Sequence, residues 1–194
     1  MREQGIYLGF DISTTCTGMS IFNQDGEFVG VKHIKIETDK DVLPENRYIA
    51  KANIFKEYIQ DYKSFNILGV VIEDPLGGSN NTFTANLLIK FNGILSYLIY
   101  QELGIIPEYI TVHEWRKSLC REFIKIDNKG KETLSFPKGW KGPEKKEFVL
   151  QKITEMYPNI EWLKNKKGDY IKENYDMADS IGVILKYMKN INLL

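Results

Sequence analysis

The sequence predicts an α/β fold built on a mixed five-stranded sheet, three antiparallel strands and then two parallel ones, flanked by helices. Three observations predict it. Apolar runs of strand length recur at residues 5–12, 17–23, 28–36, 67–72 and 109–112. A hairpin signal, Gln24-Asp25-Gly26, joins the second run to the third, whereas long helical stretches separate the later runs. The resulting order, βββαβαβα with an added terminal helix, puts antiparallel strands first and crossover helices between parallel ones.

Each element has its own signal. Residues 5–12 form a buried strand that ends in the turn Ser13-Thr14-Thr15. From Asn46, Ile49, Ala52, Phe55, Ile59 and Tyr62 recur at helical spacing while Lys51, Lys56, Glu57 and Asp61 face outward. The run Ile67 to Ile72 is closed by Glu73-Asp74-Pro75. After the loop Gly77-Gly78-Ser79-Asn80-Asn81, a helix runs from about Thr82 to Leu103, and Pro107 precedes the short strand Tyr109 to Val112. A brief helix is expected over Glu114 to Phe123. The stretch from Lys125 to Gly142 has no period and reads as a loop or mobile hairpin. Helices resume at Pro143, a residue suited to the first helical position, and again near Asp176.

At 194 residues the chain is expected to be one domain, with a basic loop at about 124–142. Lys plus Arg equals Asp plus Glu, 26 of each, so net charge points to no class of partner. Locally the balance shifts: residues 125–146 carry seven lysines against Asp127, Glu132 and Glu144. Cys16 and Cys120 lack ligand or CxxC spacing, and no secretory signal precedes the first strand, so free thiols in a reducing, cytoplasmic compartment are expected. His33 and His113 are isolated. Asn86, Lys90 and Asn92 interrupt the apolar helix 82–103, which favours a buried helix over a membrane span.

The chemistry lies in four carboxylates. Asp11 follows the first apolar run in Gly9-Phe10-Asp11, and Glu73 follows Val70-Val71-Ile72. Asp176 and Asp179 stand three apart, on one face of the last helix. Each has a plainer explanation. Asp11 would cap a turn, Glu73 would meet solvent before Pro75, and Asp176 with Asp179 would suit a helix N-terminus. As a set they imply more: the expected topology brings all four to one rim of the sheet, where they would repel without cations between them. Hard oxygen donors favour Mg²⁺ or Mn²⁺. Lys145 and Lys146 open a helix that approaches the same rim, and Lys138 and Lys141 precede it, as candidate phosphate contacts. Phe83, beside the Gly-rich loop, would either stack on a base or pack in the core.

These motifs resemble the RuvC-type Holliday junction resolvases of the RNase H-like nuclease superfamily. Gly9-Phe10-Asp11 with Thr17-Gly18 keeps that family's spacing; Val71-Ile72-Glu73, Glu144-Lys145-Lys146 and Asp176-Met177-Ala178-Asp179 follow in the family's order. Two departures stand out: Ser13 replaces a frequent glycine, and the loop 124–142 is longer. The resemblance implies an RNase H-like sheet and structure-selective cleavage of four-way DNA. It implies two Mg²⁺ or Mn²⁺ ions held by Asp11, Glu73, Asp176 and Asp179, with Lys145 or Lys146 offsetting charge at phosphorus. It further implies a homodimer, bacterial or phage, and a junction contact at Phe83. The nearly all-round apolar character of helix 82–103 is a separate hint of an interface.

Three rivals remain open. A related nuclease would act on RNA precursors or other branched DNA. Asp11-Ile12-Ser13-Thr14-Thr15 with Asp25-Gly26 also resembles the phosphate loop of actin-like sugar kinases, whose second lobe would not fit in 194 residues. A binding module with a dead site would not need all four carboxylates.

Overall fold

Strand β1 (Gly5–Ile12) is the centre of the molecule, and its alternation organises everything around it. The computed structural model describes residues 5–13, 16–35, 46–75 and 82–194, with side chains in the last range from Ala85 onward. Thr14, Thr15, the loop Gly77–Asn81 and the Phe83 side chain lie outside the described residues. β2 (Cys16–Asn23) and β3 (Phe28–Lys35) follow β1 as an antiparallel meander. Asn23 closes the turn between them, its Oδ1 accepting the backbone N–H groups of Asp25 at 3.0 Å and Glu27 at 2.8 Å.

Helix α1 (Arg47–Gln60) leads to β4 (Asn66–Asp74), and α2 (Thr82–Leu103) leads to β5 (Glu108–Thr111). The sheet order is β3-β2-β1-β4-β5, with β4 parallel to both β1 and β5. This is the mixed five-stranded topology expected from the sequence.

Ile6, Leu8, Phe10 and Ile12 of β1 face α1 and α2, meeting Phe55, Ile59, Phe91, Leu95 and Ile99. The intervening residues, including Gly9 and Asp11, face the other layer. That layer is formed by α3 (Val112–Leu119), α4 (Gly142–Met156) and α5 (Glu173–Asn190). Trp115, Val149, Leu150, Ile153, Ile181 and Ile184 fill it.

α5 is buried almost throughout from Met177 to Met188, because it lies directly on β1 and β2. Two glycines permit this approach. A Cβ on Gly9 would come within 2.7 Å of Ile184 Cβ, and one on Gly18 within 1.9 Å of the Asp176 carbonyl oxygen. The Ser20 hydroxyl donates to the Ser180 carbonyl at 2.9 Å and fixes the helix along the sheet.

One local expectation is corrected. The helix after β5 begins at Val112 and ends at Leu119, followed by a 3-10 turn over Arg121–Phe123. A capping box sets that start: Glu114 N–H donates to Thr111 Oγ1 at 3.2 Å, and the Glu114 carboxylate accepts the Thr111 N–H at 2.9 Å. Of the two readings of the basic stretch, loop or hairpin, the structure has the hairpin, β6 (Ile124–Ile126) paired with β7 (Glu132–Leu134). Aromatic residues at irregular spacing order its base: Phe123 lies 5.2 Å from Phe136, 5.6 Å from Trp140 and 4.9 Å from Phe148, between ring centroids.

Candidate active site

Four acidic side chains from three separate elements meet at the C-terminal rim of β1 and β4. Asp11 is the penultimate residue of β1 and is 9% exposed. It pairs across the sheet with Gly18 of β2, whose missing side chain lets the first turn of α5 descend beside it. Glu73 is one residue from the end of β4, on the same face by alternation with Val71; Asp74 falls on the other face, beside Ile89 and Asn92 of α2. Asp176 stands in the first turn of α5, and Asp179 one turn further, 3% exposed. Neither caps the helix, whose N-cap is Lys172 with no side-chain bond.

The electrostatics follow from burial and crowding. Burial, followed by the charges of Glu73, Asp179 and Asp176, pushes the Asp11 carboxyl well above the usual range. Burial, with Asp179 nearby, pushes Glu73 up to about 7, although the indole N–H of Trp115 donates to its Oε2 at 2.7 Å and opposes the rise. Burial also raises Asp179, against the pull of Arg116 and Lys146.

Lys146, in the second turn of α4, lies 3.5 Å from Asp176 Oδ1 and 3.9 Å from Asp179 Oδ2. Burial works against its charge, but Asp179, Asp176 and Asp11 outweigh that and hold its pKa above normal. Lys145 points elsewhere, its ammonium 5.4 Å from the Phe136 ring centroid. Lys138 and Lys141 are exposed on the segment before α4 and, among the described residues, make no ion pair with the carboxylates.

Three side chains at this rim were not expected. Arg116 of α3, 17% exposed as a side chain, places Nη2 3.3 Å from Asp179 Oδ2 and stacks over the Trp115 ring at 4.9 Å. Trp115 is fully buried beneath Glu73. The Cys16 thiol hydrogen-bonds to Asp176 Oδ2, and burial followed by that bond pushes the thiol up to about 12. The capping pattern Thr111-x-x-Glu114 was the available signal for α3, and it would have put Trp115 and Arg116 on a helix adjoining the rim.

The donor set suits a hard cation. Asp11 and Asp179 are buried, Glu73 and Asp176 partly so, the carboxylates repel one another, and among the described residues Asp179 Oδ1 has no hydrogen-bond partner. As the side chains stand, no three Asp, Glu, His or Cys groups among the described residues are drawn together closely enough to hold an ion. Arg116, Lys146, Trp115 and Cys16 engage carboxylate oxygens instead.

Among the described residues, no helix is long and apolar enough to cross a membrane. At the level of sequence, no family model and no curated protein matches the chain. Among solved structures, the chain is similar to a T. thermophilus RuvC in complex with Holliday junction substrate, with a TM-score of 0.59 and 10% identity over 97% of this chain and 96% of that one. It is also similar to a Thermus thermophilus RuvC structure, with a TM-score of 0.53 and 10% identity over 96% of both chains. The fold is therefore the RNase H-like mixed sheet that these RuvC structures share.

Proposed function

We propose that the protein is a metal-dependent nuclease that cuts branched DNA, with four-way junctions as its substrate. One observation carries this reading: four acidic side chains, far apart in sequence, converge on one sheet rim where burial and mutual repulsion raise Asp11, Glu73 and Asp179. A carboxylate cluster that costs this much as bare anions is most stable around cations. The whole-length likeness in fold to RuvC supports the choice of substrate.

Asp11, Glu73, Asp176 and Asp179 would hold Mg²⁺ or Mn²⁺, two ions to a site. Bound there, the ions would supply Lewis-acid charge for in-line displacement at a phosphodiester, leaving a 5′ phosphate and a 3′ hydroxyl. The chain's own residues do the rest. Asp11, on the central strand beside Glu73 and the α5 acids, would help to hold the metal together with them. Trp115 keeps Glu73 oriented and biased toward its ionised form. Lys146, already directed at the rim, offsets charge gathering on the phosphoryl oxygens. Arg116 holds Asp179 in place when no cation does so.

A junction needs two cuts, so the working unit is a homodimer. The outer face of α2 supports this, since Ile94, Tyr97 and Tyr100 are exposed there beside the buried stripe Phe91, Leu95 and Ile99. The deciding experiment compares cleavage of a mobile four-way junction, a linear duplex, a flap and an RNA–DNA hybrid, each with Mg²⁺ and with EDTA. Junction-selective cutting that EDTA stops and Asp11→Asn abolishes is the expected result. Wild-type cutting by Asp11→Asn overturns the mechanism. Preference for the hybrid or the flap overturns the junction assignment alone.

A further inference from the structure

Beside the carboxylates, on the β2–β3 side, lies a cleft of about 380 Å³ bordered by His33, Lys35, Lys146, Lys172, Tyr175 and Asp176. The reaction described above uses only Lys146 and Asp176 of these. We propose that this cleft is a second phosphodiester subsite, seating the backbone of the strand being cut one or two nucleotides from the scissile phosphate. The proposal rests on the nuclease reading.

Position is the first reason. Asp11 pairs with Gly18, and Gly18 with His33, so His33 lies in the same cross-sheet row as Asp11, two strands away. Two interstrand spacings make that about 10 Å, the scale of a short step along a nucleic-acid backbone. Lys146 joins the two places, since its ammonium reaches Asp176 at 3.5 Å and sits 5.9 Å from the Tyr175 ring centroid.

Chemistry is the second. Lys35 and Lys172 are exposed at the cleft, at the end of β3 and at the N-cap of α5. Two acids, Glu173 and Asp176, also border it, and Asp176 is engaged by Lys146 and the Cys16 thiol. The His33 Nε2 is buried and, among the described residues, has no hydrogen-bond partner. A phosphate oxygen would give that nitrogen a partner, and lysines of this kind position a backbone without reading its bases.

The test measures junction binding in EDTA across a salt series, for the wild type and for Lys35→Ala with Lys172→Ala. Lys164→Ala with Lys166→Ala removes the same charge from exposed positions outside the cleft and serves as control. The cleft pair should weaken binding about tenfold and reduce the salt slope by about 2, while the control changes affinity less than about threefold. Junctions with one methylphosphonate at successive positions add a readout that folding defects cannot mimic. A neutral linkage one or two nucleotides from the cut should weaken wild-type binding and leave the double variant unaffected. His33→Gln should show a smaller loss at the same linkage.

Equal losses in both pairs of variants, or no methylphosphonate position to which the wild type is sensitive, would overturn the proposal. So would displacement by millimolar inorganic phosphate without any methylphosphonate effect, which marks a small-anion site. If the wild type cuts junctions while the cleft variants bind normally, only the subsite fails. If the wild type neither binds nor cuts nucleic acid, the nuclease reading fails with it.

Discussion

Trp115 donates its indole Nε1–H to Glu73 Oε2 at 2.7 Å, tying a fully buried core residue to a carboxylate at the acidic rim. This bond opposes the burial that, on balance, leaves the Glu73 carboxyl pushed up to about 7. Trp115→Phe keeps most of the packing but cannot donate. Glu73 then holds its proton to higher pH, and the proton competes with any cation. The half-saturating Mg²⁺ concentration for junction cutting should rise about fivefold or more at pH 7 and converge with wild type by pH 9. An equal shift at both pH values would show that the indole acts through packing alone.

Folding stability should depend on pH in the opposite sense to most acidic clusters. Glu73 has its folded pKa raised by burial from 4.5 to about 7, and Asp11 and Asp179 are raised as well. Between the unfolded and folded values the native state binds more protons than the unfolded one. Stability contributed by these groups is therefore full below about pH 4 and is lost as pH rises through about 7. In EDTA the melting temperature should fall by several degrees from pH 5.5 to pH 8. Ten millimolar Mg²⁺ should restore most of that loss at pH 8 and little at pH 5.5. A melting temperature that rises across this range in EDTA contradicts the electrostatic account of the rim.

Gly18 determines how close α5 sits. A Cβ there would lie 1.9 Å from the Asp176 carbonyl oxygen, a backbone atom that cannot swing aside. Gly18→Ala should lower the melting temperature by about 10 °C and cut activity more than a hundredfold, as α5 and its two acids are pushed outward. Gly30→Ala, in the neighbouring strand with nothing among the described residues within 4 Å of an added Cβ, should stay within about 2 °C of wild type. Thermal melts and cleavage rates of the pair separate this close approach from a general intolerance of alanine in the sheet.

The strands were legible because each is an apolar run that stops at a polar or turn residue, and the resulting order leaves few topologies. Asp11 and Glu73 stood out for the same reason, as acids placed where such runs end. Trp115 and Arg116 did not. The indole reaches Glu73 across 42 positions of chain, and it does so only because the parallel register sets Glu73 opposite Ile110, with α3 starting two residues later. The basic hairpin was legible only as one of two readings, because three-residue strands have no period to detect, and Phe123, Phe136, Trp140 and Phe148 cohere only in three dimensions. Two adjacent lysines, Lys145 and Lys146, are equivalent as letters, while about 100° of helical rotation sends one to an aromatic ring and the other to the acids.

The exposed face of α2 gives a prediction about assembly. Tyr97 is 58% exposed and Tyr100 52%, on a helix whose opposite stripe is fully buried. Tyr97→Asp with Tyr100→Asp should convert a dimer to a monomer in analytical ultracentrifugation at micromolar concentration, without changing the circular dichroism spectrum. Junction resolution should then fall far more than nicking of a single strand, because paired cuts require paired sites. A wild-type monomer at that concentration would rule out this interface.

Lys145 and Lys146 offer the sharpest test of how the rim works. Both sit at the start of α4 and both are partly buried, so a role set by local charge would make them interchangeable. Geometry separates them: Lys146 lies 3.5 Å from Asp176 and 3.9 Å from Asp179, while Lys145 lies over Phe136. If Lys146 offsets charge that develops on the phosphoryl oxygens, its loss affects kcat and not ground-state binding. Lys146→Ala should therefore lower single-turnover cutting by about a hundredfold, with junction affinity in EDTA changed less than about threefold. Lys146→Arg should recover part of the rate, since charge is kept but placement is not. Lys145→Ala should cut within about threefold of wild type and lose a degree or two of melting temperature through the lost ring contact. Were the two alanine variants equally slow, the ammonium at the rim would have no special part in the reaction, and α4 would contribute only a diffuse positive field.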